Sequence, residues 1–344
     1  MNFKAITMND IARALDLSAS TVSKALSNSY EISEKTKKLV LDYAKANNYR
    51  PNLIAQSLKQ GHSNSIGIVV ASIDNLFFSQ VINGIESIAH SEGYNVIFTQ
   101  THESYDLEVK NVNHLAHRSV DGLLISLSTE TTNIDHLKKL QQQGLPIVFF
   151  DKVSYEIDTH KVIVDNFKGA YEATTHLIKT GYKNIAHLTS IADTYVTRER
   201  LAGYVQALKD NDVPVKEEFI KYFSKGGRDV EEVKSILTEL LLTGNAKPDA
   251  LLSAFDKITT TTLGILHQLK IKIPQHIALL GFTNTVLADV LNPSLSTVYQ
   301  PGFEMGQEAT KMLISLIKTK RPVTEFETIV LPTQLFLRNS TLKK

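Results

Sequence analysis

The chain of 344 residues contains no cysteine, which removes a disulfide framework, a thiol nucleophile and any cysteine metal site. Its N-terminus has no basic flank followed by an apolar run, and no apolar stretch approaches membrane-spanning length. A cytoplasmic chain with no membrane contact is expected. Catalytic signatures are also missing. There is no Gly-x-Ser-x-Gly elbow, no Walker-type glycine–lysine loop, no Gly-x-Gly-x-x-Gly after the first strand and no His-Glu-x-x-His. His114 and His117 stand three apart on a predicted helix, but without nearby cysteines or paired acids they read as a solvent-facing pair rather than metal ligands. No carboxylate pair stands out for acid–base work. An enzyme, a cofactor and a metal are therefore not expected.

Net charge is nearly absent too, with 37 Lys and Arg against 36 Asp and Glu. That balance hides an asymmetry. Residues 1–60 hold nine basic and five acidic side chains, a charge of +4, which leaves −3 for the remainder. A basic head on a mildly acidic body suits phosphate contact at one end. The length exceeds one average domain, and 42% hydrophobic residues can bury a sizeable core.

The basic head begins with two short helices joined by a tight turn, residues 7–28. Thr7 and Ser18 are N-cap residues, and Thr7 with Asp10 has capping-box spacing. Ile11, Ala12 and Leu15 form an apolar stripe on the first helix, and Val22, Ala25 and Leu26 form one on the second. The other face of the second helix carries Ala19, Ser20, Thr21, Ser23 and Lys24, the small, polar or basic surface that a major-groove reader needs. A third helix starts at the cap Ser33 and offers Leu39, Val40, Tyr43 and Ala44 to the core. After Tyr49-Arg50-Pro51, residues 52–59 form a helix-capable segment with no core of its own, followed by the polar linker Gln60-Gly61-His62-Ser63-Asn64-Ser65.

Ile11-Ala12, Val22-Ser23-Lys24-Ala25-Leu26, Ile32-Ser33-Glu34-Lys35-Thr36, Tyr49-Arg50-Pro51-Asn52 and Ala55-Gln56-Ser57-Leu58 occur in one order at one spacing. In these motifs the chain resembles the LacI/GalR family of bacterial transcriptional regulators over essentially its whole length. The resemblance implies a hinge helix that forms on operator DNA and lies in the minor groove, with Asn52 and Ala55 on it and Leu58 at the place of a leucine that wedges a central base step. Ser18, Thr21, Ser33, Thr36 and Asn52 match positions of phosphate or groove contacts. Thr7 joins them at the head of the first helix. Lys24 is the best candidate for a guanine contact, while Ala19 and Ser20 at the first recognition positions have little reach. The turn before the second helix has Asp16 where the family usually has Gly, and Asp tolerates a left-handed backbone.

From residue 65 onward, apolar strand runs alternate with amphipathic helices in two similar sets. The runs are 65–71, 95–98, 122–126 and 146–150, then 162–164, 185–188, 250–253 and 277–281. Such alternation argues for doubly wound parallel sheets covered on both faces. The expected fold is an all-α helix-turn-helix domain, 1–50, and a hinge and linker, 51–63. An α/β periplasmic-binding-protein-like domain, 64–344, follows. Its lobes are expected at about 64–164 with 299–326, and 165–298 with 327–338. Ligands of such sheets bind beyond the carboxyl ends of the strands, so a cleft between the lobes is the expected effector site.

At those ends stand Asp151 and Arg200, an acid and a fixed guanidinium suited to a polyhydroxylated ligand, and both match family effector positions. Gln300, on the expected crossover, matches another. Phe77, Phe78 and Phe223 could give an apolar platform for a sugar face. Phe255, with Asp256 beside it, and Thr283 occupy positions where the family often places Asn and Asp, so the ligand of no well-known member carries over. The resemblance implies a homodimer on a pseudo-palindromic operator in double-stranded DNA. It also implies a small-molecule effector, a sugar or sugar derivative, that changes operator affinity allosterically, most simply as a repressor. No leucine heptad follows residues 331–338, so a dimer is expected over a coiled-coil tetramer. Two other readings stay open: a periplasmic-type sugar-binding protein, and a DNA-binding protein without an effector.

Overall fold

A computed structural model describes residues 6–49, 62–191, 193–243, 247–319, 321 and 323–343. The chain separates into two compact units, Met1–Ser63 and Asn64–Lys344. Among the described residues of the first, three helices are each started by a hydroxyl cap: α1 (Met8–Ala14), α2 (Ala19–Leu26) and α3 (Glu34–Ala46). Ile11, Ala12, Val22, Ala25, Val40 and Ala44 are buried where the three meet. Two details differ from the sequence reading. Leu39 is exposed, because the buried stripe of α3 runs through Lys37, Val40 and Ala44. The Lys37 stem lies in the core while its ammonium reaches Glu34 at 2.7 Å. Ala19 is partly buried against the core rather than turned to the reading face.

The second unit holds two six-stranded sheets. The first contains β1 (Ser65–Val70), β2 (Asn95–Gln100), β3 (Gly122–Ile125), β4 (Ile147–Phe150), β5 (Lys161–Val164) and β11 (Thr328–Leu331), in the order β11-β5-β4-β3-β1-β2. The second contains β6 (Ile185–Ser190), β7 (Ile220–Phe223), β8 (Ala250–Ser253), β9 (Ala278–Phe282), β10 (Ser296–Tyr299) and β12 (Gln334–Phe336), in the order β12-β10-β9-β8-β6-β7. All neighbours are parallel except β10 and β12. The central strands are buried on both faces, as parallel sheets between helices must be.

Helices cover each sheet. On the first lie α4 (Leu76–Ser91), α5 (Tyr105–His117), α6 (Asp135–Gln142) and, returning from the second lobe, α11 (Gly302–Lys318). The second has α7 (Asn166–Lys179), α8 (Tyr195–Asp210), α9 (Val230–Thr238) and α10 (Asp256–Gln268). Helices α4 and α11 touch backbone to backbone. A Cβ on Gly84 would lie 2.0 Å from the Phe303 carbonyl, and one on Gly306 would lie 2.0 Å from that of Val81. The chain passes between lobes after β5, after β10 and after β11. The last crossing corrects the expected lobe limits. Residues 328–331 pair with β5 in the first lobe, and only 334–336 join the second. Ile329 and Leu331 pack on the first core, so the open edge beside β5 takes this strand before the chain leaves.

Candidate functional site

In the first unit the caps are built as the sequence suggests. The Thr7 amide donates to Asp10 Oδ2 at 3.0 Å and the Asp10 amide returns a bond to the Thr7 hydroxyl at 3.2 Å. Ser18 accepts from the Thr21 amide at 3.0 Å, and Ser33 from the Thr36 amide at 3.2 Å. Each cap satisfies a donor that the first helical turn leaves over. Asp16 adopts φ +52°, the left-handed turn that sets α2 at its angle to α1. Ser20 is exposed, while Thr21 and Lys24 are half-buried. The Lys24 ammonium binds the Glu31 carboxylate, so a base contact would require that pair to part. Asn52, Ala55 and Leu58 lie outside the described residues.

In the second unit a cavity of about 400 Å3 opens where the carboxyl ends of the two sheets face each other. The lining residues stand at strand ends or in the segments that follow them. Phe77 and Phe78 come after β1, His102 and Glu103 after β2, Asp151 and Lys152 after β4, and Arg200 after β6. Arg228 follows β7, Phe255 and Asp256 follow β8, Thr283 and Asn284 follow β9, and Gln300 follows β10.

Arg200, on α8, is the fixed centre of this cavity. Its Nε donates to Asn166 Oδ1 at 2.8 Å and its Nη2 to Gln300 Oε1 at 2.9 Å, while Nη1 binds the Ala254 carbonyl. The guanidinium lies over the Phe282 ring at 4.0 Å and near that of Phe255 at 5.2 Å. Burial drives its pKa down to about 9, although the Asp151 carboxylate opposes that shift. Asp151 stands in a left-handed conformation, φ +59°, and accepts from the Ser126 hydroxyl at 3.3 Å. Burial raises its pKa against the pull of Lys152 and Arg200. Lys152 turns instead to Glu103, with Nζ at 2.6 Å from Oε1. Burial works to raise the Glu103 carboxyl, but Lys152 and the Thr129 amide hold it below the usual carboxylate range. Asp256 is raised by burial, with the Thr283 hydroxyl donating to it in opposition.

The lobes also touch around this cavity. Arg228 Nη1 donates to the His102 carbonyl at 3.1 Å, and the Asn284 amide joins Gln80 to the Gln300 carbonyl. The lining thus combines fixed donors, buried acceptors and aromatic rings. Such a set discriminates ligands by hydroxyl geometry.

Comparison with known proteins agrees with both halves. A family model described as "Periplasmic binding proteins and sugar binding domain of LacI family" matches residues 63–338, and one described as "Bacterial regulatory proteins, lacI family" matches residues 7–52. The chain belongs to the lacI family of bacterial regulatory proteins. It is 31% identical to the ribose operon repressor of Haemophilus influenzae over 337 residues, covering 97% of this chain and 98% of that one. A solved lacI-family regulator from Enterococcus faecium, with bound ribose, is 26% identical with a TM-score of 0.70, covering 80% of this chain and 98% of that one. The lac repressor dimer bound to operator and the anti-inducer ONPF shares the fold, at 23% identity and a TM-score of 0.81, over 99% and 100% of the two chains. Among the described residues no helix is long and apolar enough to cross a membrane.

Against this lacI-family frame, eight of the nine effector positions named from sequence line one cavity: Phe77, Phe78, Asp151, Arg200, Phe255, Asp256, Thr283 and Gln300. Phe223 does not. Its ring is fully buried in the second lobe's core with Leu188, Phe219 and Val233, because the last residue of β7 faces inward. Phe77 and Phe78 serve both core and lining, since they sit in the first turn of α4 in edge-to-face contact at 5.3 Å. Sequence reasoning missed His102, Glu103 and the loop Ser224–Arg228. The strand-end rule would have found them had β2 been traced to its true end and β7 been recognised as a strand.

Proposed function

We propose that this chain is a repressor whose affinity for a pseudo-palindromic operator is set by a sugar or sugar derivative bound between the two lobes. The observation that carries this reading is the convergence of Arg200, Asp151, Asp256, Asn284 and Gln300 on one cavity at the strand ends. Its volume, about 400 Å3, lies within the usual range for small-molecule sites. Two relatives support a sugar by what their names and contents say, a ribose operon and a bound ribose. Because cavity residues come from both lobes and Arg228 and Asn284 already bridge them, a ligand there would favour one lobe arrangement. Ligand affinity must differ between DNA-competent and incompetent states for such a shift to reach the head.

A homodimer supplies the second head for a two-fold operator. Val286, Leu287 and Val290 of the second lobe are 74%, 56% and 76% exposed, an apolar run that a second copy would cover. Ser18, Ser20, Thr21, Lys24, Ser33 and Thr36 would face DNA, and the chain would act in the cytoplasm without catalysing a reaction. The test selects bound genomic fragments, then measures operator affinity by fluorescence anisotropy against a panel of monosaccharides and disaccharides. A change in operator affinity with one sugar supports the reading. Tight operator binding that no sugar moves would favour an effector-independent DNA-binding protein. Sugar binding without sequence preference on DNA would favour a binding protein of the transport type.

A further inference from the structure

The loop after β7 reads Ser224-Lys225-Gly226-Gly227-Arg228-Asp229, a basic turn around two glycines at φ +56° and +86°. Gly227 has a second reason to lack a side chain. A Cβ there would lie 2.8 Å from the backbone of Ile258, in the first turn of α10. The Thr261 hydroxyl binds the Gly227 carbonyl at 3.0 Å and fixes the loop against that helix. This packing brings Lys225 and Arg228 beside Lys257, and all three line the one cavity.

The acids that face these three cations are exposed, shared with another cation or beyond ion-pair distance. Lys225 pairs with Asp229 at 3.0 Å, an exposed pair four residues apart that contributes little, and Asp229 itself is not part of the cavity lining. Arg228 stands 3.8 Å from Glu103, whose carboxylate already holds Lys152 and the Thr129 amide. Lys257 makes no ion pair at contact distance among the described residues, but its charge acts on the neighbouring Asp256. Glu130 accepts the Tyr105 amide at 3.2 Å, and Asp74, held by the Ser72 hydroxyl, also feels the Arg228 charge. Asp151 and Asp256 also line the cavity, Asp151 facing Lys152 and Arg200 and Asp256 bound by the Thr283 hydroxyl. A neutral sugar needs hydroxyl-directed groups, which the interior supplies. Three convergent cations can donate to neutral hydroxyls, but a charge-assisted bond to an anion is roughly twice as strong.

We propose that the effector carries an anionic group, phosphate or carboxylate, which Lys225, Arg228 and Lys257 hold at the cavity mouth while its polyol part lies against Arg200 and Asp151. This rests on the reading of the cavity as a site for a sugar derivative. The competing role for Arg228 is that of a latch between lobes through the His102 carbonyl.

Titration calorimetry on the full chain with matched pairs decides the matter: ribose and ribose 5-phosphate, glucose and glucose 6-phosphate, glucose and gluconate. In at least one pair the anionic member should bind about ten-fold tighter or better, the scale of one charge-assisted contact. That preference should shrink as salt rises from about 0.15 to 0.5 M. The phosphate and carboxylate arms tell which anion is meant. A triple variant, Lys225→Gln, Arg228→Gln and Lys257→Gln, should bring the pair within about two-fold, the anionic member losing much more affinity than the neutral one. Lys257→Gln alone, at an exposed position, should lose part of the preference and guards against a misfolded triple variant. Equal or tighter binding of neutral members overturns the anionic assignment alone and leaves a neutral-sugar site. A preference that survives the triple variant overturns the role given to these cations, and a latch is then what Arg228 provides. If no sugar of either kind binds, the sugar reading falls and takes this inference with it.

Discussion

Replacing Arg200 by lysine should harm the protein more than replacing it by methionine. The guanidinium is 2% exposed, and it makes three hydrogen bonds, to Asn166, Ala254 and Gln300. Hydrogen bonds to a charged group contribute about 1.5–3 kcal/mol each, so the three together hold roughly 5–9 kcal/mol. Against this stands the cost of keeping the charge buried. A pKa lowered from 12.5 to about 9 corresponds to about 5 kcal/mol. Methionine loses the bonds but also relieves that cost, for a net loss of about 0–4 kcal/mol. Lysine keeps a buried ammonium yet cannot reach three acceptors in the plane of the guanidinium, so it keeps most of the cost and forfeits about two bonds. It should fall below methionine by about 2 kcal/mol. Urea unfolding of the three proteins at neutral pH measures the order directly. Lysine at wild-type stability, or methionine as the more damaging change, would show that the three bonds do not carry the energy assigned to them. Both variants should lose the effector response while leaving operator affinity intact, since Arg200 belongs to the second unit.

His187 gives a pH test. It is fully buried beside Tyr204, the rings stacked at 4.8 Å, and burial with the Arg200 charge lowers its pKa to about 3. A base with a lowered native pKa is neutral in the fold and protonated once unfolded. Stability therefore falls as pH drops from about 6.5 towards 3, by up to about 1.4 kcal/mol per unit. His187→Phe should flatten this limb in urea titrations across pH, and parallel curves would discard the assignment. Lys24→Ala should relax base preference at one position of each half-site in a binding-site selection; unchanged selectivity removes Lys24 from readout. Leu58→Ala should weaken specific operator binding by about 1–3 kcal/mol and spare non-specific DNA, whereas equal losses on both would count against a wedge.

Where the sequence carried a periodic or positional signal, the structure could be read ahead. Buried runs such as Leu123–Ile125 and Val148–Phe150 announced central strands, and the strand-end rule placed Asp151 and Arg200 at the cavity. The last two edge strands were less decisive. Residues 328–331 and 334–336 carry short apolar runs but are exposed or half-buried, and nothing in them tells which sheet each one joins, so the lobe limits were misjudged there. Phe223 was taken for lining because an aromatic at a strand end can face either side, and only the packing of β7 against α9 decides. Leu39 failed for a related reason, since Lys37 shares its helix and buries its stem in the place that a leucine would take.

Backbone strain was the least legible feature, and it marks the site most directly. Ten non-glycine residues among those described have positive φ. Six of them, Asp16, Asn28, Asn48, Ser119, Asp212 and Lys270, lie two residues past the end of a helix, where a left-handed residue closes the last turn. Asn64 precedes β1. The other three, His102, Glu103 and Asp151, follow strands, and all three line the cavity. Each such conformation costs of order 1–3 kcal/mol, which glycine would avoid. The chain keeps carboxylates at two of these positions, one holding Lys152 and one buried beside Arg200, so the side chain is worth more there than the relief. In sequence these positions look like any polar loop residue. Their strain becomes visible only when the strand ends of both lobes are seen to converge.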